Sequence, residues 1–166
     1  MRQKSATHIR SFPRILSVVI AAGILAGDQI TKAVVTHFIT ARTVISVIPH
    51  FFNLIYAENA GAAFSLFSAS PAPWKTALLI AVRSVLLAVM IVLIWRSRRM
   101  RWAMGIGFSL IMGGALSNLI DCVRHGRVID FLDVYYRSYH WPTFNLADSA
   151  IVVGAGLVVV QMLMSE

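Results

Sequence analysis

The stretch Phe144-Asn145-Leu146-Ala147-Asp148-Ser149-Ala150 opens a run that stays largely apolar to Met164. Asn145 is a helix-starting residue, and Asp148 then falls at the third helical position, where the helix dipole favours an anion by ~0.3–1 kcal/mol. The run approaches the ~20 residues that carry a helix across ~30 Å of hydrocarbon. A carboxylate at the mouth of such a helix lies beside lipid, where acids are costly and mark function. On its own, Asp148 also reads simply as a helix-start residue.

The rest of the chain has the same character. Of 166 residues, 58% are hydrophobic and 13% charged, against about 25% charged in a soluble domain. The mean hydropathy is +0.74. Too little polar surface remains for a water-soluble fold, so the chain reads as one integral membrane domain over residues 1–166. The formal charge of +8 would suit nucleic acid, but the hydropathy and the placement of the basic residues argue against that partner. Cys122 is the lone cysteine, which excludes an intrachain disulfide.

Four apolar segments are expected to cross, at about residues 15–35, 74–95, 102–120 and 144–164. Trp74, Trp95, Trp102 and Trp141 lie at or near their ends, as an interfacial belt would. The uninterrupted part of the first segment, Ile15 to Gly27, is only about 13 residues, and basic residues precede it, so a cleaved leader is an alternative. Against cleavage, the pattern continues through Asp28-Gln29-Ile30-Thr31-Lys32 to Val35.

Basic residues set the orientation. Arg2, Lys4, Arg10 and Arg14 precede the first segment, and Arg96, Arg98, Arg99 and Arg101 join the second to the third. The positive-inside rule puts those links and both termini in the cytoplasm. The longer loops, at about residues 36–73 and 121–143, face the other side. Within the first of them, Thr43–Ile48 and Phe51–Glu58 read as short strands, with a turn at Asn59-Ala60-Gly61. The expectation is an all-α membrane protein, four transmembrane helices with a small extracytoplasmic β-element.

On this topology, Asp28 lies ~21 Å along its helix from Arg14, and Asp121 lies ~28 Å along its own from Trp102. Asp148 begins the last helix from the outer side. Asp130, in Val128-Ile129-Asp130-Phe131, is read as part of the loop before that helix. These four carboxylates converge on the outer third of the bilayer. Glu58 and Asp133 lie in the outer loops, and only Glu166 is plain tail.

Two carboxyls brought together in apolar surroundings share one proton, and the ionised member can activate a water. Asp130 and Asp148 are the candidate pair. The alternative for Asp130 and Asp133 is a solvated loop paired with Arg124, Arg127 or Arg137. Asp28 and Lys32 stand four apart with the acid first, the better order for a helical ion pair. Gly113 with Ser117, and Ala150 with Gly154, let helices approach closely. His8, His37, His50, His125 and His140 show no metal-ligand spacing, so no metal and no cofactor are expected.

In order along the chain stand Asp28-Gln29-Ile30-Thr31-Lys32, Asn59-Ala60-Gly61-Ala62-Ala63-Phe64, Gly113-Gly114-Ala115-Leu116-Ser117-Asn118-Leu119-Ile120-Asp121, Val128-Ile129-Asp130-Phe131 and Phe144-Asn145-Leu146-Ala147-Asp148. Together they resemble the lipoprotein signal peptidases (signal peptidase II), aspartic peptidases of the bacterial inner membrane. The resemblance implies removal of the signal peptide from prolipoproteins, cut just before a cysteine carrying diacylglycerol. It implies Asp130 and Asp148 as the catalytic pair, with Asp28, Lys32, Asn59, Gly61, Asn118, Asp121 and Asn145 shaping the site and holding substrate. It further implies prolipoproteins and membrane lipid as partners, with the site near the periplasmic face and the first span retained; the chain is expected to be a monomer, though the sequence itself does not give the oligomeric state. One departure is visible: Cys122 follows Asp121, where the family usually has arginine, and Arg124 stands two residues on.

Two other classes predict different things. A proton-conducting transporter would spread its acids through the membrane depth, including the inner half, where none is found. A non-enzymatic scaffold would tolerate asparagine at both aspartates.

Overall fold

A computed structural model of the chain describes residues 11–59, 73–97 and 100–164. Helix α1 (Arg14–Phe38) is followed by strands β1 (Ile45–Ile48) and β2 (Phe52–Asn59). Helices α2 (Pro73–Arg96) and α3 (Trp102–His125) come next, then strands β3 (Val128–Tyr136) and β4 (Tyr139–His140), and helix α4 (Leu146–Leu163).

Among the described residues, α1, α3 and α4 are long and apolar enough to cross a membrane. Their burial is inverted relative to a water-soluble protein. The largest fully buried side chains are Asn145, Asp28, Asp130, Ser109 and Ser117, while Ile15, Ile30, Val85, Val152 and Leu163 are exposed. Lipid is the matching solvent for such a molecule: hydrocarbon accepts the aliphatic exterior, and polar groups turn inward to satisfy one another. Trp74, Trp95, Trp102 and Trp141 are all exposed.

Helix α3 is central and packs against α1, α2 and α4. Small residues allow this. A Cβ on Gly107 would lie 2.7 Å from the carbonyl oxygen of Gly154, and one on Gly113 would lie 2.6 Å from that of Ala21. The α3–α4 and α1–α3 backbones therefore meet with no side chain between them, the packing mode of helices in lipid.

The four strands form one antiparallel sheet in the order β1-β2-β3-β4. In β2 and β3, Asn53 pairs with Asp133 and Ala57 with Asp130, with a bulge between Leu54 and Ala57. The sheet is anchored where Val35 and Ile39, at the end of α1, pack with Phe131 of β3. Asp130 thus belongs to a strand rather than the loop expected from sequence. The segment has the β-branched and aromatic content of a strand, interrupted by two aspartates, a residue type depleted in sheets. Those aspartates are buried because the strand lies against the helices: Asp130 is 0% exposed and Asp133 4%.

Candidate active site

The site begins with Lys32 on α1. Its ammonium is 2.6 Å from Asp28 Oδ2, 2.6 Å from Asp121 Oδ2 and 3.0 Å from Asn118 Oδ1. Three oxygens therefore saturate its three donors. Asp28 also accepts from Ser117 Oγ at 2.7 Å and from the Ala147 backbone N–H at 2.9 Å. It ties α1 to α3 and to the first turn of α4. Asp121 Oδ1 accepts from Gln29 Nε2 at 2.8 Å, and its other oxygen is 3.4 Å from the Ile129 backbone N–H. These charges are buried but paired and hydrogen-bonded, the condition under which buried ions are tolerated.

Asn118 carries the order outward. Its carbonyl oxygen faces Lys32, so its Nδ2 donates to Asp148 Oδ1 at 2.8 Å. Asn145 caps α4: its Oδ1 accepts from the Asp148 backbone N–H at 2.8 Å, while Asp148 Oδ2 accepts from the Asn145 N–H at 3.3 Å. This reciprocal capping box fixes the carboxylate of Asp148 at the positive end of the helix.

Asp130 comes from β3. Its Oδ1 accepts from Asn145 Nδ2 at 2.7 Å and its Oδ2 from Asn59 Nδ2 at 2.9 Å. Burial, opposed by the Asn59 hydrogen bond and aided by the negative charge of Asp148, pushes its carboxyl up from 3.8 to about 6. The arrangement holds two carboxyl groups on either side of one asparagine, one at a helix mouth and one on a strand.

Asp28, Lys32, Asn59, Asn118, Asp121, Asp130, Asn145 and Asp148 thus form one hydrogen-bonded network. Gly61, and with it the Asn59-Ala60-Gly61 turn, lies outside the described residues. The remaining outer acids serve the sheet. Glu58 pairs with Arg127 and accepts from Tyr56 at 2.6 Å, while Asp133 binds Asn53 at 2.9 Å and His140 at 2.7 Å. Asp130 has no arginine partner among the described residues, so the solvated-loop alternative does not describe it.

Three participants carry no clear signal of this role in the local sequence. Gln29 bonds Ser117 and Asp121, and Ser117, whose spacing marks only helix packing, donates to Asp28. Arg83 donates from α2 to Cys122 Sγ. An arginine within an apolar helix is itself a signal of function, and it was available in the sequence. Arg124, the nearest basic residue after Cys122, is exposed in the last turn of α3. Among the described residues, no group of three or more histidine, cysteine or acidic side chains is arranged to hold a metal ion.

Comparison with known proteins gives one consistent result. A family model described as "Signal peptidase (SPase) II" matches residues 20–164. The lipoprotein signal peptidase of Solibacter usitatus is 41% identical over 144 residues, covering 87% of this chain and 88% of that protein. That of Geobacter sulfurreducens is 42% identical over 153 residues, covering 92% and 94%. A solved structure titled "Bacterial membrane enzyme structure by the in meso method at 1.9 A resolution" superposes with a TM-score of 0.82 at 29% identity, covering 93% of this chain and 97% of that one.

Proposed function

The chain belongs to the signal peptidase II family, an aspartic-type peptidase family that removes signal peptides from prolipoproteins, and from that premise we propose that Asp130 and Asp148 are its catalytic dyad. The observation that carries the proposal is Asn145, which hydrogen-bonds both carboxyl groups in the interior of a membrane protein. Asp148 is the ionised member: each aspartate accepts two N–H groups, but Asp148 alone stands in the first turn of a helix, whose dipole favours an anion. Asp130, fully buried on its strand, holds the shared proton.

Catalysis then needs only these two groups and water. Asp148 takes a proton from water as the water oxygen bonds to the scissile carbonyl carbon. The proton on Asp130 passes to the carbonyl oxygen, giving a gem-diol. When the C–N bond breaks, the leaving nitrogen takes the proton from Asp148, and one gem-diol hydroxyl returns a proton to Asp130. The dyad ends as it began.

The scissile bond in this proposal lies just before a cysteine carrying S-linked diacylglycerol, whose acyl chains anchor it in the outer leaflet. The protein is a multi-pass membrane protein. We place it in the bacterial inner membrane with both termini cytoplasmic and the site near the periplasmic face. Arg14, Arg96 and Arg101 cluster at one end of the helices, which supports that orientation. Helix α2 would be a fourth span, since its 24 residues extend ~36 Å. The dyad and its supports come from one chain, so a monomer suffices.

The test is cleavage of a diacylglyceryl-modified prolipoprotein peptide by the purified protein in detergent. The native chain should cut before the lipidated cysteine, and Asp130→Asn and Asp148→Asn should each lose cleavage while unfolding at the native temperature. Full activity in either folded variant would overturn the dyad assignment.

A further inference from the structure

Arg83 lies ten residues after Pro73 and thirteen before Arg96, ~15 Å and ~20 Å from the two ends of α2. An arginine at such depth costs about 2.5–3.5 kcal/mol on insertion scales and needs a partner. Its partner among the described residues is Cys122 Sγ, and sulfur is a weak acceptor. Among the described residues, three other cations near this end of the helices are paired or exposed. Lys32 is saturated by three oxygens, Arg127 is paired with Glu58, and Arg124 is exposed.

The location matters as much as the partner. Cys122 directly follows Asp121 and lies one helical turn from Asn118, which holds Asp148. Helix α2 is N-terminal at the outer side, and helical side chains lean toward the N-terminus. Arg83 therefore reaches outward, and its guanidinium ends at the edge of the acid network. That network is negative. Asp28, Asp121 and a singly protonated dyad carry three negative charges against the one positive charge of Lys32.

We propose that Arg83 is a substrate-binding residue, whose guanidinium moves from Cys122 to a carbonyl oxygen of the bound precursor. This deepens the peptidase reading above and rests on it. The precursor offers such oxygens in two places: the peptide backbone flanking the scissile bond and the acyl esters of the diacylglyceryl group. Either gives a charge-assisted hydrogen bond stronger than the one to sulfur. The thiol holds the long side chain at the site when substrate is absent, so less ordering remains to be done on binding.

The experiment is steady-state cleavage by the full chain in detergent, comparing native protein, Arg83→Ala, and Arg83→Ala combined with Cys122→Arg, each with its unfolding temperature. Precursor peptides with ester-linked diacyl and ether-linked dialkyl glyceryl groups are used in parallel. Arg83→Ala should raise KM by about 10- to 100-fold, the loss of one charged hydrogen bond, with kcat much less changed. The double variant, which returns a guanidinium to the same place from α3, should recover most of that loss. If KM rises only with the ester substrate, the acyl carbonyl is the acceptor; if with both, the backbone carbonyl is. A folded Arg83→Ala with native KM on both substrates would overturn the proposal. So would a fall in kcat and unfolding temperature at native KM, which marks a packing role. The native protein and the Asp130→Asn control test the peptidase reading separately in the same assay.

Discussion

Lys32 Nζ lies 3.0 Å from Asn118 Oδ1, and this bond, with that of Asn145 Nδ2 to the same oxygen at 3.2 Å, sets which end of the Asn118 amide faces Asp148. An ammonium accepts nothing, so the amide oxygen must point to it and the NH2 must point away. The catalytic proposal therefore depends on a cation that touches neither aspartate of the dyad.

Replacing Lys32 by methionine weakens this orientation and leaves Asp28 and Asp121 buried without their cation. The expected cost is about 3–5 kcal/mol, read as a lower unfolding temperature in detergent. Adding Asp28→Asn to Lys32→Met should restore part of the stability. It should not restore full cleavage, because the Asn118 amide oxygen is then held by Asn145 Nδ2 alone, at 3.2 Å.

Asn145 combines a cap with a bridge, and the two roles can be separated. Serine caps helices about as well as asparagine, but its side chain is too short to reach Asp130. Asn145→Ser keeps the cap but leaves Asp130, Asn118 and the Ile129 carbonyl without its Nδ2, so it should lose about 1–3 kcal/mol of stability while kcat falls about 10- to 100-fold, as expected for loss of a hydrogen bond to a charged group. Equal rates in the two proteins would show that the bridge has no part in catalysis.

The pH profile follows from Asp130. Its carboxyl stands at about 6 in the fold against an ordinary 3.8, so between those values the folded chain binds more protons than the unfolded one. Its contribution to stability is thus full below about pH 3.8 and is lost as pH rises through about 6. On the proposed mechanism the dyad works with one proton, so activity shares the upper limit: kcat/KM should decline above about pH 6. Asn59 lowers the Asp130 value through its hydrogen bond. Asn59→Ala should shift the declining limb to higher pH, measured on the free enzyme from kcat/KM profiles.

Close packing of α3 on α4 should be felt at the site. A Cβ at Gly107 would meet the Gly154 carbonyl at 2.7 Å, whereas one at Gly23 meets nothing within 4 Å. Gly107→Ala should destabilise by about 1–3 kcal/mol and slow cleavage, since parting α3 from α4 lengthens the Asn118–Asp148 bond. Gly23→Ala should leave cleavage unchanged and stabilise by about 0.5–1 kcal/mol, the usual helical preference for alanine. Thermal unfolding and cleavage rates of the two variants make the comparison.

Much of this site is legible in the sequence because its acids stand out against hydrocarbon. Asn145 as cap and Asp148 at the third helical position follow from local chemistry, and the structure has that capping box. The positions of Asp28 and Asp121 along α1 and α3 follow from helical rise. Strand β3 is harder to read, because Asp130 and Asp133 suggest a loop until the asparagines of β2 are known to hydrogen-bond them. Such pairing is long-range, between residues 71 or 80 positions apart. Arg83 shows a different limit. Its depth in α2 is visible in the sequence, but its reach to Cys122 depends on how α2 leans on α3.

The hydrogen bond from the Ala147 backbone N–H to Asp28 Oδ1 spans 119 residues. It joins the first helix to the last at the place where the dyad forms. During synthesis, α1 enters the membrane long before α4 leaves the ribosome. Until then Asp130 has neither Asn145 nor Asp148 beside it, and the nascent chain has no means of activating water. On the proposed dyad, proteolytic competence therefore arises only when the last helix has joined the first.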